Sequence, residues 1–157
     1  MLRFYPDAKF LHTHRDPLKV IPSMTSFMGT IVWMRSDRVM DVPAFALVMS
    51  QEFCSRLEHV KALFALCTLR KENYRDVLYQ QLMESPLQCL TSIYEQFGME
   101  FTPEAQRRMV TWLDTRSQAK QHPVAHRYDF AQTGLDKETE RKRLAAYQKY
   151  FRVTLEV

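Results

Sequence analysis

An arginine that closes a short apolar segment, and a serine eight residues after it, are the side chains of this sequence best suited to chemistry. The segment HTHRDPLKVIPS carries them as Arg15 and Ser23. A guanidinium at the C-terminal end of a parallel strand lies where open α/β sheets bind ligands. Its planar fork holds a phosphate through two parallel hydrogen bonds, a geometry that an ammonium does not match. Ser23, about two turns into the helix that should follow, can add a hydroxyl to the same anion. Charge-assisted bonds of this kind contribute about 1.5–3 kcal/mol each.

Other candidates carry less. His12 and His14 alternate along a strand and so share one face, where they could ligate a metal or act as a base. No Cys, Asp or Glu is placed beside them by spacing, so a structural role is expected and no metal. His122 and His126 have helical spacing, but Pro123 interrupts it and no HExxH glutamate is present. Only Gly29, Gly98 and Gly134 occur, so neither GxxxxGK[ST] nor GxGxxG can be written. A nucleotide bound here would be held without a glycine-rich cradle. There is no GxSxG elbow, and no catalytic residue can be assigned. The basic run Arg141-Lys142-Arg143 reads as an ordinary solvated helix face.

The elements that must position Arg15 and Ser23 follow from pattern and punctuation. Ala8 to His14 reads as a strand. Asp16 offers an N-cap with Pro17 at the first helical position, and the helix should run to about Phe27, kinked at Pro22. Asp41-Val42-Pro43 starts a long helix over Ala44 to Thr68, with Phe45, Met49, Phe53, Leu57, Val60, Phe64 and Cys67 on one face. Tyr74 to Tyr79 is a second short strand. Pro86 opens a helix with Leu87, Leu90, Tyr94 and Phe97 inward and Gly98 as its stop. Thr102-Pro103 opens another, with Ala105, Met109 and Leu113 inward. Ser117 to Gly134 reads as loop, and a last helix from about Lys137 to Phe151 carries Leu144, Tyr147 and Phe151 on one side.

At 157 residues, with 46% hydrophobic and 25% charged residues, the chain has the size and composition of one globular domain. The net charge of +4 suits an anionic small molecule and lacks the concentrated stripe of a nucleic-acid reader. No run of about 18 apolar residues could span a membrane, and no signal peptide is visible. Cys54, Cys67 and Cys89 are odd in number and widely spaced, as expected of free thiols in the cytoplasm. Two strands are too few for an independent sheet, so the expected fold is α/β, a helix-rich partial parallel sheet whose other strands lie earlier in a longer protein. Missing strands would leave a sheet edge unpaired, so the isolated chain should dimerise or aggregate.

Three stretches resemble one family. The strand followed by Arg-Asp-Pro and a Ser eight residues after the Arg is similar to the 3′-phosphate motif of sulfotransferases that use 3′-phosphoadenosine-5′-phosphosulfate (PAPS). The stretch LYQQLMESPLQCLTSIYEQFGMEFTPEAQRRM resembles the family's segment in which Tyr-Glu-Asp-Leu precedes Asp-Pro, a helix and Phe-Gly. Tyr79, Leu82, Pro86, Ile93, Phe97 and Gly98 match in order and spacing, whereas Gln80, Gln81 and Ser85 depart from the acidic pattern. The stretch HRYDFAQTGLDKETERKRLAAYQKYF resembles the end of bacterial members. The resemblance implies the C-terminal part of the sulfotransferase P-loop fold, a single incomplete domain over 1–157, and PAPS as co-substrate with no metal. It assigns Arg15 and Ser23 to the 3′-phosphate, Tyr79 to the adenine, and Arg127 or Lys120 to a closing loop. It also implies a small-molecule, glycan or lipid acceptor. The donor loop and the acceptor's base would lie upstream. Two readings stand against it. One is a non-catalytic interaction module presenting the long helix from Ala44. The other is a phosphoryl-transferring kinase, against which the missing Gly-rich loop counts equally.

Overall fold

The computed structural model describes residues 4–37, 39–65, 71–119 and 128–156. The chain divides into two compact units, Met1–His14 with Leu69–His126, and Arg15–Thr68 with Arg127–Val157.

The first unit is built on strands β1 (Phe10–His14) and β2 (Tyr74–Leu78), which pair in parallel with Phe10 opposite Tyr74 and His12 opposite Asp76. This is the parallel pairing that the two segments predict. β1 begins two residues later than the pattern suggests, and Tyr79 is not a strand residue: it opens a short helix, α3 (Tyr79–Glu84). Pro86 at the first position then starts α4 (Pro86–Gln96). The side chains of Val77, Ile93 and Phe97 are buried together, with Leu82, Cys89 and Leu90 packed on them. The inner face of α4 is thus centred on Ile93, one residue before Tyr94, which instead stacks on Phe101 at 4.5 Å between ring centroids. Gly98 stops the helix as expected, at φ +63°, a left-handed conformation that glycine adopts without steric cost. The Thr102 hydroxyl then accepts from the Ala105 N–H at the start of α5 (Pro103–Ala119). Helix therefore continues to Ala119, where loop was expected from Ser117.

The second unit packs helices α1 (Pro17–Trp33), α2 (Val42–Ala65) and α6 (Lys137–Phe151), with a 3-10 turn at Phe130–Thr133. α1 runs through Pro22 and past Phe27, because no stop signal intervenes. Gly29 also leaves room for Met40, whose methyl would lie 2.8 Å from any Cβ there. Asp41 caps α2 by accepting from the Ala44 N–H. The buried line of α2 is Ala46, Ser50 and Leu57, with Phe45, Met49, Phe53 and Val60 half-buried beside it. The side chain of Phe64 and all of Cys67 lie outside the described residues. α6 has the bounds that the sequence predicts, capped by Asp136 and burying Leu144, Tyr147 and Phe151.

Candidate functional site

The Arg15-Asp16 dipeptide follows β1 directly and enters α1, and its two side chains have opposite fates. Asp16 is 1% exposed. Its carboxylate caps α1 by accepting from the Leu18 N–H at 3.0 Å. It also accepts two bonds from the Arg141 guanidinium, at 2.6 and 2.7 Å, and one from the Glu156 N–H at 2.7 Å. Burial pushes the carboxyl's pKa up, but these bonds and the Arg141 charge outweigh it and hold it below the ordinary value. Arg141 is therefore not the solvated surface charge that its basic run suggests: it is half-buried and pairs with a fully buried carboxylate.

Arg15 stays more open, with 39% of its side chain exposed. Its guanidinium donates from Nε and Nη2 to the two carboxylate oxygens of Glu156, both at 2.9 Å. This side-on pairing is the geometry with which a guanidinium holds a phosphate. Glu156 is in turn fixed through its backbone, since its N–H reaches Asp16 and its carbonyl accepts from Arg141 at 3.4 Å. Ser23 lies half-buried on α1, in the same unit as Arg15. From α1 a groove of about 440 Å³ extends across the second unit, lined in part by Thr25, Trp33, Met40, Tyr128 and Thr133.

Tyr79 belongs to the other unit, half-buried at the start of α3. Arg127 and Lys120, the closing-loop candidates, lie outside the described residues, as do His122 and His126. In the first unit, Asp76 reaches the two strand histidines: its Oδ1 is 2.6 Å from His14 Nε2 and 4.0 Å from His12 Nδ1. Tyr74 joins them, with its hydroxyl 3.0 Å from His12 Nδ1 and donating to Asp76. Burial lowers the pKa of both imidazoles. His14 adds to the lowering at His12, and Asp76 opposes it at both rings.

Sequence reasoning missed Glu156, Arg141 and Asp76. The first two meet residues far away along the chain, and spacing carries no trace of that. Asp76 was within reach, because pairing YRDVL with FLHTH in parallel, first residue to first, sets it opposite His12.

The model of the sulfotransferase family matches residues 1–103 of the chain. No curated protein matches its sequence. Its fold is similar to that of sulfotransferase STF9 from Mycobacterium avium, with a TM-score of 0.74 at 22% identity over 99% of this chain and 39% of that one. It is also similar to sulfotransferase STF1 from Mycobacterium tuberculosis H37Rv, with a TM-score of 0.66 at 23% identity over 92% of this chain and 35% of that one. The chain thus spans less than two fifths of the length of either solved protein. The fold class is the expected one, a helix-rich α/β arrangement shared with sulfotransferases. Since the family's model covers well over half of its 157 residues, this chain belongs to the sulfotransferase family.

Proposed function

We propose that the chain forms the nucleotide end of an enzyme that transfers a sulfuryl group from PAPS to a hydroxyl or amine of a small-molecule, glycan or lipid acceptor. In that reaction the acceptor's oxygen or nitrogen bonds to sulfur, the bond from sulfur to the 5′-phosphate oxygen breaks, and adenosine 3′,5′-bisphosphate leaves. Catalysis of such a step is mostly positioning and charge neutralisation, by analogy with phosphoryl transfer. Arg15 and Ser23 hold the 3′-phosphate, Tyr79 packs on the adenine, and Arg127 closes over the nucleotide. No residue of this chain is assigned to the sulfate side or to the acceptor's proton, so the isolated chain binds nucleotide without turning it over.

The observation that supports this reading is the side-on pairing of Arg15 with an oxyanion of the same unit. The guanidinium is anchored by chain geometry beside Asp16 and presents its fork to a carboxylate, as it would to a phosphate. Binding the 3′-phosphate then requires Glu156 to give way. The pair is partly exposed, so that exchange costs little.

Calorimetric titration tests the proposal. The chain should prefer adenosine 3′,5′-bisphosphate to adenosine 5′-monophosphate by about ten- to a hundred-fold, the weight of one charge-assisted contact. Equal affinity for the two nucleotides would refute a 3′-phosphate site.

A further inference from the structure

We propose that His12, His14 and Asp76 form a binding site for a divalent transition-metal ion, zinc foremost, that ties β1 to β2.

The site arises from strand geometry. His12 and His14 share a face of β1 because strand side chains alternate, and the parallel register sets Asp76 of β2 opposite His12. One ligand atom from each residue lies within 4.8 Å of the others, the one such trio found among the described residues. Two imidazole nitrogens and one carboxylate oxygen are a donor set that suits zinc and its first-row neighbours and is poor for magnesium or calcium, which favour all-oxygen shells.

The distances fit with small movements. Around zinc, with bonds of about 2.0–2.2 Å, tetrahedral ligand atoms stand roughly 3.3–3.5 Å apart. The His14–Asp76 separation of 2.6 Å must open by somewhat under 1 Å, and the His12–Asp76 separation of 4.0 Å must close by a similar amount. Rotations of the exposed Asp76 side chain supply both. Metallation at His14 Nε2 places that ring's proton on Nδ1, so the ion replaces the hydrogen bond now made to Asp76. Burial already favours the neutral imidazoles that a metal requires. Tyr74, donating to Asp76, orients the carboxylate from outside the coordination shell, the usual service of such a partner. His14 is fully buried, whereas His12 and Asp76 are 25% and 45% exposed, so an ion enters from their side. Three protein ligands leave a fourth position for water.

The test is titration of ZnCl2 into the chelator-treated 157-residue chain, followed by calorimetry and by thermal melting. The expected result is one ion per chain and a raised melting temperature. His12→Ala and Asp76→Asn should each weaken binding at least about ten-fold and abolish the thermal shift, and Tyr74→Phe should weaken it about ten-fold. Cobalt in place of zinc should give visible absorption bands that change in Asp76→Asn. His12→Gln substitutes for His12→Ala should the latter fail to fold by circular dichroism. An absence of binding heat and of any thermal shift would overturn the site. So would binding of equal strength in wild type, His12 variants and Asp76→Asn, which would locate the ion elsewhere on the chain.

Discussion

Asp16 and Asp76 are both carboxylates with arginine or histidine partners, and they differ in how their needs are met. Asp16 is closed in. Two guanidinium bonds, two backbone N–H groups and a longer contact from Gln148 occupy its oxygens. Asp76 is 45% exposed, and its neighbours are two uncharged rings and a phenol. A buried charge that is fully partnered serves as an anchor, because removing either partner strands the other. A carboxylate beside neutral nitrogen donors keeps negative charge to spare, and that is the condition for capturing a cation. The same contrast recurs in the glycines. A Cβ on Gly134 would meet Pro43 at 2.8 Å, whereas one on Gly98 would meet nothing within 4 Å.

The largest effect should come from breaking the closed network. Asp16→Ala leaves Arg141 without its carboxylate and removes the cap of α1, and should cost about 3–5 kcal/mol in denaturant unfolding. Asp76→Ala, measured without metal, should cost less, about 1–3 kcal/mol, since it takes a hydrogen-bond partner from the buried His14 ring but strands no charge. Equal losses would erase the distinction between the two carboxylates. Next come the left-handed glycines. Gly134→Ala should cost about 1–3 kcal/mol, from an unfavourable φ together with the Pro43 contact, and Gly98→Ala should sit at the low end or below it. A larger loss at Gly98 would contradict the open surroundings found there.

Smaller still is the effect of Glu156. Its pairing with Arg15 is worth about 0–1 kcal/mol, so Glu156→Gln should tighten binding of adenosine 3′,5′-bisphosphate by no more than about five-fold. Weakened binding would mean that Glu156 positions Arg15 for its ligand rather than competing with it. The smallest expected signal concerns Cys54, whose thiol pKa is raised chiefly by burial. Alkylation by iodoacetamide at pH 8 should therefore be slower than for a free cysteine, and should climb as the pH rises.

These contrasts also explain what could be read from the sequence. Local signals sufficed where a pattern is complete in itself: the Leu144, Tyr147 and Phe151 stripe placed α6 over the bounds it has. Proline placed the starts of α1 and α4 in the same way. α3 was hidden, because YQQLME is too short and too polar to show a period, and Tyr79 extends a β-favouring run. Leu57 of the expected face of α2 is buried, but in the helix's first half the buried positions lie one residue from Phe45 and Met49, because it is small residues, Ala46 and Ser50, that allow close approach. Ser50 there donates a hydrogen bond to the buried Glu140, and a hydrophobic pattern cannot register that pairing. Arg15 and Ser23 could be named because their chemistry is local to one strand-to-helix junction. Arg141 and Glu156 could not, since their roles depend on where distant segments meet.

Everything proposed for the nucleotide rests on the Arg15 fork, and one substitution tests it most directly. Titration of adenosine 3′,5′-bisphosphate into wild type and Arg15→Ala, both checked for intact folding, should show affinity falling about ten- to a hundred-fold in the variant. Ser23→Ala should fall less, because it removes a neutral hydroxyl rather than a charge. An Arg15→Ala protein that binds the nucleotide as wild type does would contradict the phosphate site outright.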